Sequence, residues 1–297
     1  MKSMEQINLN NRNFNTISPS AKSILLMKGH TNIPFARQTA ELIKYPEKYT
    51  PDFKCKDLTF WARTIHFESR YWSIDQLLEG LPINNILEIS SGFSFRGLEK
   101  IKQKGVHYID TDLPDIIETK KEFITVLHNE GSKVEGKLEF APLNALDEVQ
   151  FQAVIKKFAG GELVIINEGL LMYLDNSEKE KLCKIISKIL KEHGGYWITA
   201  DIYLRNKQDK LDLKLGNKTK EFFEQHHIEE NRFESFKEAE AFFNRMGFIV
   251  DKEAKIKPSG LSSFKYLLKN MTFKQLFKMG KAGKIQATWR LKIADDE

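Results

Sequence analysis

Gly92, Ser94 and Gly97 stand where a dinucleotide-binding fingerprint has three glycines. They follow the apolar run at residues 86–89 and precede a segment that is typical of a helix start. In that fingerprint the first glycine makes a tight turn, the second lets the backbone approach a pyrophosphate, and the third lets helix and strand pack. A chain that keeps the outer glycines and replaces the middle one is predicted to bind a nucleoside-like ligand without a pyrophosphate.

Acidic side chains follow two other apolar segments. Asp112 ends the segment HYIDTD and lies 20 residues after Gly92, the spacing at which a carboxylate binds ribose hydroxyls in such folds. Its two oxygens can accept from both the 2′- and the 3′-hydroxyl, so a free 2′-hydroxyl is expected. Glu168 directly follows the mostly apolar segment LVIIN, where an unpaired charge would be costly to bury. A ligand ammonium would satisfy this carboxylate, as would a nearby lysine or a helix N-terminus.

An asparagine stands at the corresponding place after a third apolar segment. Asn144, in PLNAL, can offer both a donor and an acceptor to the edge of an adenine. A turn or a helix cap is the more common role of asparagine at such a position. The residues alone leave both interpretations open.

Positioning these side chains requires an ordered series of strands and helices. Seven apolar runs have strand length and no alternation, which favours strands buried on both faces of a sheet; they are 86–89, 106–110, 138–141, 163–167, 196–201, 248–251 and 285–291. Helical segments alternate with them, at 95–104, 113–129, 146–158, 176–192 and 235–246. The alternation predicts an α/β fold with a mainly parallel sheet, whose ligands bind at the carboxyl ends of the strands.

The segments before residue 85 and after Asp201 predict a cap and a lid in addition to this core. Residues 20–44 and 57–80 are typical of helices and predict a helical cap, and a polar segment after Asp201 predicts a lid inserted beyond a strand end. We therefore expect a single domain over residues 18–297 behind a flexible leader, residues 1–17. Within it we expect a cap (18–84), a ligand-binding core (85–204), a lid insertion (205–234) and a C-terminal part of the core (235–297).

Three segments together resemble a known family. ILEISSGFSFRGL, YIDTDLPDIIETK and VIINEGLLMYL resemble successive motifs of the leucine carboxyl methyltransferase family, class I methyltransferases that use S-adenosylmethionine (SAM). The resemblance runs from about Ser18 to Asp201, and PLNALDE is closer to the tetracenomycin-type polyketide O-methyltransferase branch than to the protein-methylating one. The chain departs from the family in having Ser90 and Ser91 in its Gly-x-Gly turn and Ser94 in place of an aspartate.

The resemblance implies a fold and a set of cofactor contacts. The fold is a Rossmann-like class I methyltransferase, with a mainly parallel seven-stranded sheet and helices on both faces. The cofactor contacts are Lys22 and Arg70 to the methionine carboxylate, Gly92 with Glu88, Ser90 and Leu113 around the cofactor, Asp112 to the ribose, Asn144 and Ala145 to the adenine, and Glu168 to the methionine ammonium. SAM has a carboxylate, an ammonium and a sulfonium but no phosphate, in agreement with the altered glycine motif.

The implied reaction is transfer of a methyl group to an oxygen of a small-molecule acceptor, either a carboxylate or a phenol. Tyr173 is predicted to face the reacting atoms as a catalytic and substrate-binding residue, with an ordinary core tyrosine as the alternative. Tyr203 and Arg205 are candidates to hold an anionic acceptor, and a surface role is equally open. No histidine lies in the strand-end motifs, which favours an acceptor that is already ionised and needs no general base. No metal is expected.

Two other functions remain open. One is methylation of a protein C-terminus or of tRNA, which the lysines between Lys252 and Lys284 would assist, although a solvated lysine face also explains them. The other is a non-catalytic module that binds SAM as a regulatory ligand.

Composition restricts the remaining classes of protein. The 297 residues are 41% hydrophobic, 29% charged and carry a formal net charge of +5, as expected for one large domain. No run of 18 apolar residues occurs and the first 15 residues lack an apolar core, so we expect no membrane span, no secretion signal and no membrane partner. Two cysteines, Cys55 and Cys183, indicate a reducing compartment, and we expect a cytoplasmic protein that does not bind nucleic acid.

Overall fold

One seven-stranded sheet forms the centre of the molecule. The computed structural model describes residues 19–43, 55–127, 134–205, 217–281 and 283–294. The strands are β1 (Asn85–Ile89), β2 (His107–Asp112), β3 (Lys137–Pro142), β4 (Leu163–Asn167), β5 (Gly195–Tyr203), β6 (Phe248–Glu253) and β7 (Gln286–Ile293). Their order is β3-β2-β1-β4-β5-β7-β6, with β1 to β5 parallel and β7 antiparallel to both β5 and β6. The predicted α/β fold with a mainly parallel sheet is confirmed.

Unbroken apolar strands arise because both faces of the sheet are covered. All five residues of β4 are buried. Leu163 and Ile165 belong to a core cluster with helix residues of 176–193, while Val164 and Ile166 belong to a second cluster with residues of 58–78. Because successive strand residues point to opposite faces, each face contributes apolar side chains to its own core.

Eleven helices are found in the described ranges. They are α1 (Pro19–Lys28), α2 (Ala36–Ala40), α3 (Leu58–Leu78), α4 (Arg96–Lys100), α5 (Pro114–Leu127), α6 (Glu148–Ile155), α7 (Asn176–His193), α8 (Asn217–Gln225), α9 (Phe236–Arg245), α10 (Phe264–Lys269) and α11 (Phe273–Lys281). Several begin at the residue types that satisfy free N–H groups: Asp175 and Glu178 form a capping box at α7, and Ser235 caps α9. The five core helices predicted between the strands are all present.

The predicted helix at 20–44 is wrong as a single helix. The described part of this segment forms α1 and α2, which a turn at residues 29–35 separates. Pro34 lacks an N–H and disfavours helical backbone at Ile33, and Phe35 has a left-handed φ of 63°. A continuous helix cannot pass through these residues.

Parts of the predicted organisation lie outside the described residues. These are the leader at 1–17 and the central part of the lid insertion, 206–216. In the described part of that insertion, α8 was not predicted as a helix. No helix in the described ranges is both long and apolar enough to cross a membrane.

Gly97 packs α4 closely against the sheet, the role that the fingerprint gives to its third glycine. A Cβ at this position would lie 2.7 Å from Cδ1 of Leu138 and 2.9 Å from Cδ1 of Tyr108. We expect Gly97→Val to lower the free energy of unfolding by about 1–3 kcal/mol through overpacking, measured by urea denaturation. Gly260→Val is the control, because a Cβ there would meet nothing within 4 Å; equal losses in the two variants would contradict the packing role.

Candidate active site

A cavity of about 600 Å³ lies at the carboxyl ends of the strands, between the sheet and helices α1 and α3. Most residues singled out from the sequence line it together: Arg70, Ser90, Gly92, Asp112, Leu113, Asn144, Ala145, Glu168, Tyr173 and Tyr203. Lys22, Glu88 and Arg205 are not among its lining residues. The sheet therefore brings the strand-end residues to one place, as a parallel topology requires.

Glu168 is a buried carboxylate surrounded by cations. Its Oε1 atom accepts from Lys28 Nζ at 2.7 Å and lies 3.4 Å from Arg70 Nη2, while its Oε2 atom lies 3.7 Å from Arg96 Nη2. Burial alone would raise the pKa of Glu168, but Lys28, Arg70 and Arg96 outweigh it and lower this pKa to about 2. Burial also lowers the pKa of Lys28, against the opposing effect of its ion pair with Glu168. The carboxylate is therefore ionised across the physiological range.

Asp201, at the end of β5, holds the loop that carries Glu168. Its two oxygens accept from the backbone N–H groups of Gly169 at 2.7 Å and Leu170 at 2.7 Å, and from the side-chain amide of Asn167 at 2.6 Å. Gly169 has a φ of 85°, and a Cβ there would lie 2.8 Å from Arg70 Nη2. Only glycine lets the Arg70 guanidinium reach Glu168 across this turn.

The glycine-containing turn after β1 is closed to a phosphate. Gly92 N–H donates to Asp112 Oδ2 at 2.7 Å, and Leu113 N–H donates to Asp112 Oδ1 at 2.7 Å. A diphosphate would need such backbone donors, yet the Gly92 donor already binds a carboxylate that would repel it. Each Asp112 oxygen retains a second lone pair, and the side chain lines the cavity, so a ligand diol can still donate to it. The prediction from the altered motif therefore has a physical basis in this turn.

A buried ion pair supports the same turn from below. Lys120 Nζ donates to Asp110 Oδ1 at 2.8 Å and to Ser91 Oγ at 3.0 Å, and Ser91 Oγ donates to Asp110 at 2.5 Å. Burial raises the pKa of Asp110 to about 6, and Lys120 opposes this shift. Because Ser91 N–H also donates to Thr111 O at 3.0 Å, the turn is tied to β2 through both backbone and side chain.

Asn144 combines the two interpretations that the sequence left open. Its Oδ1 atom accepts from the N–H of Leu146 at 3.0 Å, which is the turn role. The side chain also lines the cavity beside Leu143 and Ala145. The turn bond leaves the NH₂ group and the second lone pair of Oδ1 available to a ligand.

The opposite side of the cavity carries two tyrosines and a histidine. Tyr173 Oη bonds to Ser20 Oγ at 3.3 Å, and burial raises the pKa of Tyr173. Tyr203 Oη accepts from Arg70 Nη1 at 3.1 Å and is hydrogen-bonded to His66 Nε2, 2.6 Å away. Burial, followed by the charge of Arg70, lowers the pKa of His66 to about 3, and burial raises that of Tyr203 to about 12. At neutral pH all three side chains are uncharged.

Two arginines add positive charge to this side. Arg232 pairs with Glu229 at 2.5 Å and its guanidinium lies 5.6 Å from the centre of the Tyr203 ring. Arg63, on α3, lines the cavity. Its guanidinium group makes no hydrogen bond or ion pair with any residue that the structure describes. Burial lowers the pKa of Arg63, because its charge is removed from water.

The three residues that do not line the cavity have other neighbours. Glu88 is fully buried behind it, accepting from Tyr108 Oη at 2.6 Å and lying 3.8 Å from Arg96 Nε. Arg205 forms an ion pair with Glu234 and donates to the backbone oxygens of residues 229 and 230. Lys22 is on α1, where Lys28, six residues later, points to a different face and reaches Glu168. The predicted cofactor and substrate roles of these three residues stay predictions.

Several residues of the cavity were missed in the sequence. Lys28, Arg63 and His66 come from cap helices, and the sequence carries no signal that tells which side of such a helix covers the sheet. Asp201 and Lys120, which support the cavity without lining it, could have been identified from the sequence. Asp201 ends a predicted buried strand, and Lys120 ends the motif D-L-P-x-x-I-x-x-K. A buried ionisable group at either position implies a partner close by.

Comparisons with known proteins extend only to the fold. Neither a family model nor a curated protein sequence matches the chain. A DUF574 family protein from Streptomyces avermitilis superposes with a TM-score of 0.52 at 10% identity, covering 93% of this chain and 97% of that one. Magnesium protoporphyrin IX methyltransferase from Synechocystis, with bound S-adenosylhomocysteine (SAH), gives a TM-score of 0.46 at 9% identity, covering 88% and 96%.

Solved structures of proteins longer than this chain also superpose on it. An O-methyltransferase family protein from Burkholderia thailandensis gives a TM-score of 0.44 at 14% identity, and the match covers 81% of this chain. The chain spans 60% of the length of that protein and 46% of a LepI variant solved with SAH and a substrate analogue. Likeness at these identities shows no more than the fold, a seven-stranded, mostly parallel sheet with helices on both faces.

The cations around Glu168 make stability depend on pH in a defined direction. Because the pKa of Glu168 is about 2 when folded and ordinarily 4.5, its contribution is complete above pH 4.5 and is lost as the pH falls to 2. We expect the free energy of unfolding of the wild type to fall over this window by up to about 3 kcal/mol more than that of Glu168→Gln. Urea denaturation at a series of pH values measures the difference. Glu118→Gln, at an exposed carboxylate, is the control and should follow the wild type.

Proposed function

We propose that this protein is a SAM-dependent O-methyltransferase that acts on a small-molecule acceptor. One observation carries the proposal. At the ends of β4 and β2, which flank β1, the cavity combines an ionised carboxylate, Glu168, beside three cations with a second carboxylate, Asp112, that has closed the glycine turn to phosphate. An amino-acid zwitterion joined to a ribose without phosphate is the ligand that this set of groups fits.

The residues present fit the parts of SAM. Glu168 would bind the α-ammonium, and Lys28 and Arg70, which already flank it, would bind the α-carboxylate. Asp112 would accept from the ribose hydroxyls, with Asn144 and Ala145 at the adenine. We assign to Lys28, which lines the cavity, the carboxylate contact that the family resemblance gives to Lys22. SAM supplies an electrophilic methyl group on its sulfonium, and the chain's task is to orient an acceptor oxygen toward it.

The acceptor side of the cavity favours an oxygen that is already ionised. Tyr173 and Tyr203 have raised pKa values and His66 a lowered one, so none of them is suited to remove a proton at neutral pH. Tyr173 and His66 would position the acceptor by hydrogen bonding, and Arg63 favours a negative charge there, whereas the charge of Arg232 is already paired with Glu229. An acidic acceptor methylated on a carboxylate oxygen fits the acceptor side of the cavity better than a neutral alcohol.

The finer assignments follow from the same proposal. The tetracenomycin-type branch of the leucine carboxyl methyltransferase family is the branch whose motifs the chain resembles.

Cap helices α1 and α3 contribute Lys28, Arg63 and Arg70, so the cap completes the site. Helix α8 belongs to a lid over the site, to which it contributes Phe222 and Phe223. Cys55 and Cys183 are free thiols, in keeping with a cytoplasmic location.

Calorimetry with SAM, SAH and NAD tests the cofactor assignment. We expect SAM and SAH to bind and NAD not to bind. Glu168→Ala and Asp112→Ala should each weaken SAM binding by about 1–3 kcal/mol, because each leaves a polar group of the cofactor unpaired. Glu118→Ala serves as the control on an exposed carboxylate. Tighter binding of NAD than of SAM, or unchanged SAM affinity in both site variants, would refute the assignment.

Transfer of labelled methyl groups into a fractionated metabolite extract tests the acceptor class. We expect acceptor activity in the fraction that an anion exchanger retained before the reaction, since Arg63 favours a negatively charged acceptor. Mild base should then release the label as methanol, because a methyl ester hydrolyses and a phenol ether does not. Arg63→Gln should reduce transfer by about tenfold while leaving SAM affinity unchanged.

Three outcomes would redirect this proposal. Acceptor activity in the unretained fraction would contradict an anionic acceptor. Binding of SAM without label in any small molecule, protein or tRNA would identify a non-catalytic module. Label in protein or tRNA alone would assign the alternative macromolecular acceptors.

A further inference from the structure

One segment of the chain is free of acidic residues over an unusual length. Residues 254–285, which we call the basic segment, contain eight lysines and no aspartate or glutamate, whereas the whole chain has 41 acids in 297 residues. In the described part, Lys255, Lys257, Lys265, Lys269 and Lys274 are exposed. Glu253, directly before the segment, pairs with Lys284, but no acid lies among these five lysines along the chain, so their positive charges add.

The same segment exposes large apolar side chains. On α11, Phe273 is 93% exposed, Leu276 42% and Phe277 66%. The spacing of three and four residues places all of them on one helix face, beside a face that contains Lys274. Tyr266 and Leu268 of α10 are also partly exposed, each at 37%. Exposed aromatic residues on a lysine-rich helix are uncommon on a surface that contacts only water.

Strong contacts hold the basic segment to the cap. Glu68 of α3 accepts from the N–H and hydroxyl of Ser262 at 2.7 and 2.6 Å, and from the N–H and hydroxyl of Ser263 at 2.9 and 2.5 Å. The rings of Trp61 and Tyr266 stack with centroids 4.5 Å apart. Ile285, at the end of the segment, lines the cavity. These contacts hold α10 against α3, and α11 with its exposed apolar face follows α10 along the chain.

We propose that the basic segment docks the protein on an anionic lipid surface, with Phe273 and Leu276 at the acyl-chain boundary and the lysines at the level of the headgroups. An interfacial helix of this kind needs an exposed apolar face and flanking cations, and both are present. A long apolar run is needed only to span a bilayer, so its absence does not bear on peripheral docking. The expectation of no membrane partner rested on that absence.

Charge complementarity favours lipid over the other partners that a lysine-rich surface could bind. Nucleic acid would be bound by the lysines, and a single strand would also stack a base on Phe273, but Leu276 on the same helix face offers no stacking surface. A bilayer with anionic headgroups offers both an apolar layer and negative charge at the depths that the helix presents. This inference does not depend on the proposed function, since it concerns a surface outside the cavity.

Co-sedimentation of the full chain with vesicles tests the proposal. We expect binding to an equal mixture of phosphatidylcholine and phosphatidylserine, loss of binding at high salt, and about 100-fold weaker binding to phosphatidylcholine alone. The triple variant Lys265→Glu, Lys269→Glu, Lys274→Glu should lose about 100-fold in affinity for the mixed vesicles. A matched triple, Lys181→Glu, Lys184→Glu, Lys191→Glu on α7, has the same net charge and should bind like the wild type.

A second pair of variants tests the apolar face. Phe273→Ser with Leu276→Ser should weaken binding about tenfold, while Val149→Ser, at an apolar residue 80% exposed on α6, should not. Circular dichroism verifies that each variant folds, and all altered side chains are exposed.

Three outcomes would overturn the proposal. The first is a failure to bind the mixed vesicles, and the second is equal loss in the two lysine triples, which would reduce the effect to net charge. The third is binding of a fluorescent single-stranded RNA without binding of vesicles, which would assign the lysines to nucleic acid. None of these readouts uses the cofactor, so failure here and failure of methyl transfer are distinguishable.

Discussion

The buried charge of Glu168 is the constraint on which the cap and the site depend. A carboxylate at the end of a central strand is tolerated only with cations close by, and they come from three separate helices: Lys28 from α1, Arg70 from α3 and Arg96 from α4. The two cap helices are therefore held over the sheet by charge as well as by apolar packing. In the proposed complex the same cations would lie beside the anionic tail of the ligand while its ammonium competes for Glu168, so one set of groups would serve both folding and binding.

A second constraint selects among the nucleotide ligands that such a sheet can bind. Asp112 occupies the Gly92 N–H that a diphosphate would need, and Lys120 with Asp110 fixes the neighbouring Ser91. The replacement of the middle glycine by Ser94 is thus one of several features that disfavour a diphosphate at this turn. Ligand selection in this fold therefore depends on the polar groups around the turn as much as on the glycines within it.

The sequence predicted the strands and the strand-end acids well, for a physical reason. An uninterrupted apolar run bounded by polar turns has few interpretations, and all seven strands begin and end within two residues of the predicted bounds. The position of Asp112 and Glu168 then follows from chain order and a parallel sheet. The cap was harder to predict, because the break at Pro34 and the orientation of Lys28, Arg63 and His66 depend on packing between helices. Arg205 and Lys22 show the same limit: their residue types suit a ligand, while tertiary contacts decide where each side chain lies.

The position of β7 has a consequence for the order in which the molecule is assembled. Gln286–Ile293 lies between β5 and β6, and β6 joins the sheet only through it. During synthesis β6 therefore has no hydrogen-bonding neighbour in the sheet until these late residues leave the ribosome. The exposed edge of β5 must stay unpaired for the same period, when a strand from another chain could occupy it.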